Sequence, residues 1–147
     1  MSTLGSTELI LTPEGCLYHV NLKPEHLADN VILVGDPGRV PLVSGFFDEI
    51  ELKRQNREII THTGWYGSKR FSVISTGMGT DNIDIVLNEL DALANIDLEK
   101  RVPRKEFRKL TIIRLGTSGS IQPDLDIDRY VISEYALGLD GLLHFYK

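Results

Sequence analysis

Three times in this chain an apolar, β-branched run stops abruptly at a cluster of glycines: "VILVGDPGR" (31–39), "FSVISTGMGT" (71–80) and "LTIIRLGTSG" (110–119). A short apolar run with no polar alternation is the pattern of a strand covered on both faces. A strand of that kind needs neighbours on both edges and layers above and below. Repeating it with helical spacing in between predicts an α/β layered sheet whose strands run into glycine-rich loops.

The rest of the chain fits that frame. After "VILV" (31–34), Pro37 suits a first helical position, and Val40, Leu42, Val43, Phe46 and Phe47 predict a short helix with an apolar side. Residues 49–76 read as extended segments, with "THTGWYGSKR" (61–70) as a hairpin connection in which Trp65 packs on the sheet. Beyond the second glycine cluster, Thr80 or Asp81 is placed to cap a helix with Ile83, Val86, Leu87, Leu90 and Leu93 at helical spacing. "YVIS" (130–133) reads as a further strand.

Each glycine loop alone reads either as a tight turn or as an anion cradle, since glycines let backbone N–H groups approach an anion closely. None has the spacing of a Walker loop or of a dinucleotide fingerprint. Arg114 adds weight, because it interrupts a run that should be a buried strand. A buried guanidinium calls for an acidic partner or for an oxyanion that its fork can grip. Arg39 ends the first loop and Arg114 stands beside the third, so one dianion, phosphate, would serve both.

Composition removes other classes. The net charge of −5 argues against a general nucleic-acid binder. Lys100, Arg101, Arg104, Lys105, Arg108 and Lys109 gather locally, but without an aromatic platform they read as a solvated surface connection. No apolar stretch approaches the roughly 20 residues that span a bilayer. Cys16 is the single cysteine, which leaves no internal disulfide and fits a reducing cytoplasm. His26, His62 and His144 show no metal-ligand spacing. By residue type alone Arg57 is a strand-edge surface charge and His19 an exposed histidine.

In this order, "VGDPGRV", "NREI", "STGMGT" and "IIRLGTSGSIQPD" resemble the nucleoside phosphorylase family that contains uridine phosphorylase and hexameric purine nucleoside phosphorylase, over about His19 to His144. The resemblance implies a three-layer α/β/α sandwich around a central mixed sheet. It implies that Gly35 and Arg39 form a phosphate loop, and that Arg114 holds phosphate, reaches toward the ribose and acts in catalysis. Thr117 would donate to phosphate and stand near the nucleoside. Arg57 would reach phosphate in a neighbouring subunit's site, and His19 the neighbour's ribose 5′-hydroxyl. A homodimer or a hexamer built as a trimer of dimers follows.

The implied reaction is phosphorolysis of a nucleoside to free base and ribose 1-phosphate, with inorganic phosphate as co-substrate and no cofactor or metal. "GTSGSIQPD" and "LDGLLHF" (139–145) look more like the uridine branch than the purine branch. Residues 1–147 correspond to the N-terminal part of a single family domain, apparently truncated, that supplies the phosphate site. Alternative readings are a purine nucleoside phosphorylase, a nucleosidase of the same fold, and a non-catalytic remnant or interaction module. Activity of the 147 residues by themselves is expected to be low, since the base-binding segment and the ribose-gripping glutamate belong to the other half.

Overall fold

In the computed structural model, which describes residues 3–146, "VILV" lies in β1 (Asn30–Val34) and is covered on both faces. The chain divides into a unit ending at Leu115 and a second beginning at Gly116. After β1 the first unit runs through α1 (Arg39–Ser44), β2 (Glu49–Asn56), β3 (Ile59–Tyr66), β4 (Lys69–Ser75) and α2 (Thr80–Asn95). It continues with the short strands β5 (Ile96–Asp97) and β6 (Val102–Pro103) and ends in β7 (Thr111–Leu115). The main sheet has the order β2-β3-β4-β1-β7. β1 is parallel to both β4 and β7, while β2, β3 and β4 form an antiparallel meander, so the sheet is mixed.

Alternation along β1 divides the core in two. Val31 and Leu33 join Ile59, Ile74 and the α2 residues Val86, Leu90 and Leu93. Val34 and Ile32 turn to the opposite face, against Val40 and Val43 of α1 and Val73 of β4. A helix on each side of one sheet is the three-layer arrangement expected. The larger cluster also takes in Leu9, Leu17, Val20, Leu22 and Leu27, from the irregular segment before β1.

Several expectations need correction. α1 ends at Ser44, so Leu42 and Phe46 are 69% and 77% exposed rather than an apolar face, and Pro37 lies in the turn before the helix. The hairpin connection shrinks to Gly67-Ser68, because residues 61–66 ladder with β4 and belong to β3. The N-cap of α2 is Gly79, at φ 96°, not Thr80 or Asp81, and Leu87 is 39% exposed because it stands off the Val86/Leu90/Leu93 stripe. β7 is exposed along its whole length, since it is last in the sheet order and ladders only with β1.

The basic connection between α2 and β7 is also more than a solvated face. Arg101 donates to the carbonyls of Leu4, Gly5 and Leu9, and Arg104 to that of Ile96. Arg108 donates to the carbonyls of Pro24 and Leu27 and to the Asp29 carboxylate. These arginines tie the connection to the body of the unit. Trp65 also keeps to the sheet, its indole N–H donating to Glu51.

In the second unit the described backbone is irregular apart from a 3-10 turn at Leu142–Phe145. "YVIS" forms no strand there: it pairs with no segment among the described residues, and Ile132 is 96% exposed. β-branched residues favour a strand only when a partner ladder and a covering layer are supplied.

Two predictions follow from the first unit. At Gly64 a Cβ would lie 2.1 Å from the Glu49 carbonyl oxygen and 3.0 Å from Ile50 Cα, at the irregular step of the β2–β3 ladder. Gly64→Ala is therefore expected to destabilise by about 3 kcal/mol, read from urea unfolding midpoints. His62 is buried against α1, sharing a 2.7 Å hydrogen bond between its Nδ1 and Ser44 Oγ. Burial, then the charge of Lys53, holds its pKa below the ordinary histidine value. The unfolded chain thus takes up the proton first, so stability is full above about pH 6.5 and declines as pH falls below it. Unfolding midpoints at pH 7.5 and 5 should show a smaller drop for His62→Gln than for the unsubstituted protein.

Candidate functional site

The parallel ladder pairs Val34 with Ser75 on one side and with Leu115 on the other, so β4, β1 and β7 end at one level. Beyond that level the pairing of β4 with β1 continues for one step, the Thr76 N–H donating to the Val34 carbonyl at 2.8 Å. Gly35 and Gly77 follow at once. A Cβ on Gly35 would lie 3.4 Å from Arg114 Nη2 and 3.7 Å from the Gly77 carbonyl. The backbone of the first loop, the carbonyl of the second and the guanidinium from β7 thus share one small volume.

The first loop is shaped by its own residues. Asp36 Oδ1 accepts the Gly38 N–H at 2.8 Å, and the Asp36 carbonyl accepts the Arg39 N–H at 3.0 Å. That tight turn delivers Arg39, half-buried, as the first residue of α1. The second loop needs Gly77 for two reasons. Its φ is 69°, and a Cβ there would come within 2.7 Å of Asn82 Nδ2 and 2.8 Å of Glu58 Cγ. Asn82 Nδ2 donates to Glu58 Oε1 at 3.0 Å. The backbone N–H of Glu58 itself, then the Asn82 amide, hold the Glu58 carboxyl below its ordinary pKa.

Arg57 and Glu58 make the two-residue turn between β2 and β3, and Arg57 has a left-handed φ of 52°. A bulky side chain in that region carries backbone strain of about 1–3 kcal/mol, which the surrounding structure must offset. Here Ser75 Oγ donates to the Glu58 carbonyl at 2.7 Å and fixes the turn beside the second glycine loop. Arg57 is therefore a turn residue rather than a strand-edge charge.

His19 sits before β1 and is held by α2. Its Nδ1 is 2.7 Å from Glu89 Oε1, and its backbone N–H also points at that carboxylate. Asn56, next to Arg57, donates to the carbonyls of Tyr18 and His19 at 2.8 and 3.2 Å. His19 and Arg57 are thereby tied into one local assembly. Thr117 lies in the second unit, on exposed irregular backbone.

The structure thus brings Gly35 together with Arg114, keeps Arg39 on the same loop, and joins His19 to Arg57 through Asn56. Among the described residues Arg39, Arg57 and Arg114, like Arg54 of β2, have no side-chain hydrogen bond or ion-pair partner. Arg70, Arg101, Arg104 and Arg108 all do. Guanidiniums left uncompensated at the ends of strands are free to bind an oxyanion. Sequence reading missed Glu58, Asn82, Glu89 and Asn56, each a short-range polar residue whose partner lies more than 20 positions away. No pattern in the sequence announces such a partner.

A family model described as the phosphorylase superfamily matches residues 29–146. The uridine phosphorylase of Thermococcus kodakarensis is 38% identical over 136 residues, covering 92% of this chain and 44% of that protein. A DeoD-type purine nucleoside phosphorylase of Thermoanaerobacter is 33% identical over 116 residues, covering 78% of this chain and 44% of that protein. Among solved structures, a Trypanosoma brucei nucleoside phosphorylase described as showing uridine phosphorylase activity superposes with a TM-score of 0.74 at 41% identity. That match covers 80% of this chain and 41% of the other. The chain therefore spans less than half the length of the relatives it matches.

Proposed function

The chain belongs to the phosphorylase superfamily, and from that membership we propose that the protein is a nucleoside phosphorylase with a preference for uridine, the present residues supplying its phosphate site. The observation that carries the proposal is the close approach of Arg114 to the Gly35 backbone: a Cβ on Gly35 would lie 3.4 Å from a guanidinium that has no acidic partner among the described residues. The names of the similar proteins, uridine phosphorylases before purine ones, support the choice of nucleoside.

In the proposed reaction a phosphate oxygen bonds to the anomeric carbon as the glycosidic C–N bond breaks, and the bonding pair leaves with the base. The products are free base and ribose 1-phosphate. Positive charge develops on the sugar in the transition state. Arg114 and Arg39, with the Gly35 loop, orient the dianion beside that charge, so the catalytic gain is positional and electrostatic. Arg114 is the proposed catalytic residue. No cofactor is called on. Arg57 and His19 are assigned to a neighbouring subunit's phosphate and ribose, which makes a homodimer, or a hexamer of three dimers, the working assembly. The compartment we assign is the cytoplasm.

Titrating inorganic phosphate into the 147-residue chain and into its Arg114→Ala variant tests the site. Loss of a charge-assisted hydrogen bond of about 2 kcal/mol should weaken binding by more than tenfold. Equal binding by both proteins would overturn the assignment. For the complete protein, we expect phosphate-dependent release of uracil from uridine to exceed release of hypoxanthine from inosine. Faster cleavage of inosine would make it a purine enzyme, and cleavage that ignores phosphate would make it a nucleosidase.

A further inference from the structure

Among the described residues Glu89 accepts more hydrogen bonds than any other carboxylate side chain of the first unit, and these donors come from a segment some 70 positions earlier. Its oxygens lie 3.1 Å from the His19 N–H, 2.8 Å from the Val20 N–H and 2.7 Å from His19 Nδ1. An ionised carboxylate only accepts, so Nδ1 must carry the proton of this hydrogen bond. In the neutral ring Nε2 is then the bare nitrogen, and among the described residues it has no hydrogen-bond partner. Asn56 holds the same residue from the other side through the Tyr18 and His19 carbonyls. The Tyr18 ring meets the imidazole edge-on, with centroids 5.0 Å apart. Backbone N–H, backbone carbonyl and ring are thus each fixed, and in the neutral ring one imidazole nitrogen is left to accept.

We propose that Glu89 is a positioning residue: it locks His19 in the Nδ1–H tautomer and presents Nε2 to accept a hydrogen bond from the 5′-hydroxyl of the nucleoside. This inference rests on the phosphorylase reading of His19 given above. Residues acting through an imidazole in this way orient the ring and choose its tautomer without touching the ligand. Glu89 belongs to α2, whose Val86, Leu90 and Leu93 are buried in the main core. The ring is therefore referenced to the rigid part of the unit rather than to its own loop.

The test compares uridine with 5′-deoxyuridine in the complete protein and in Glu89→Gln, which keeps the shape but turns one acceptor into a donor. For uridine kcat/KM should fall about tenfold, mainly through KM. For 5′-deoxyuridine, which lacks the hydroxyl, it should stay within about twofold of the unsubstituted protein. Equal losses on both substrates would mean that Glu89 only supports the fold, and no loss on uridine would mean that it positions nothing; either overturns the proposal. Ring 15N spectra of His19 supply a readout independent of turnover: a bare Nε2 in the unsubstituted protein, and mixed tautomers in Glu89→Gln. If the unsubstituted protein does not phosphorolyse uridine, the functional reading fails. The spectra then still decide the positioning, and an unchanged tautomer overturns it. Should Glu89→Gln not fold, Glu89→Asp, which withdraws the carboxylate by one methylene, carries the same comparisons.

Discussion

β1 must be hydrogen-bonded on both edges and covered on both faces, and most of the first unit follows from meeting that demand. Its partners are parallel, so β4 and β7 run in the same direction and end at the same level. Parallel neighbours require crossovers, which α2 and the β5–β6 connection help to supply between β4 and β7. The two faces require separate helices, and α1 and α2 take one each. Ligands of open α/β sheets bind beyond the carboxyl ends of their strands for this reason, since only there do several backbone segments leave the sheet side by side. The close approach of Gly35, Gly77 and Arg114 is the local result.

The arginines of this unit divide by what receives their hydrogen bonds. Arg70 links Glu51 to the carbonyls of Glu25 and Leu27, while Arg101 and Arg108 gather carbonyls from the segment before β1. Arg39, Arg57 and Arg114 instead occupy a helix start, a strained turn and a strand end, where among the described residues no carboxylate forms an ion pair with them. A charge left without a partner in a folded protein is unspent binding capacity.

This division of the arginines was partly visible in the sequence. The glycine clusters after β1 and β4 and the apolar stripe of α2 are local patterns, and the strands and helices stand where those patterns put them. Arg114 was legible as an intrusion into an apolar run, although β7 proved exposed rather than buried. What local pattern could not show was anything decided by a distant partner. Residues 61–66 look like a turn because of their polar and glycine content, yet the β4 ladder makes them strand. "YVIS" has the composition of a strand and no ladder to join. The hold of Glu89 on His19, and that of Asn56, depend on geometry that arises only once α2 and the β2–β3 hairpin are both in place.

The bonds of Arg101 carry a consequence for how the unit responds to its surroundings. This side chain grips the segment around Leu4, Gly5 and Leu9 through carbonyl oxygens, which are neutral dipoles rather than carboxylates. Such acceptors cannot be protonated in acid, and a charge–dipole bond at contact distance is weakened little by dissolved ions, whose screening acts over about 10 Å at 0.1 M. Exposed carboxylate pairs such as Lys100 with Asp97 lack both protections. The fastening of this N-terminal strap to the β5–β6 turn thus responds less to ionic strength than the ion pairs around it.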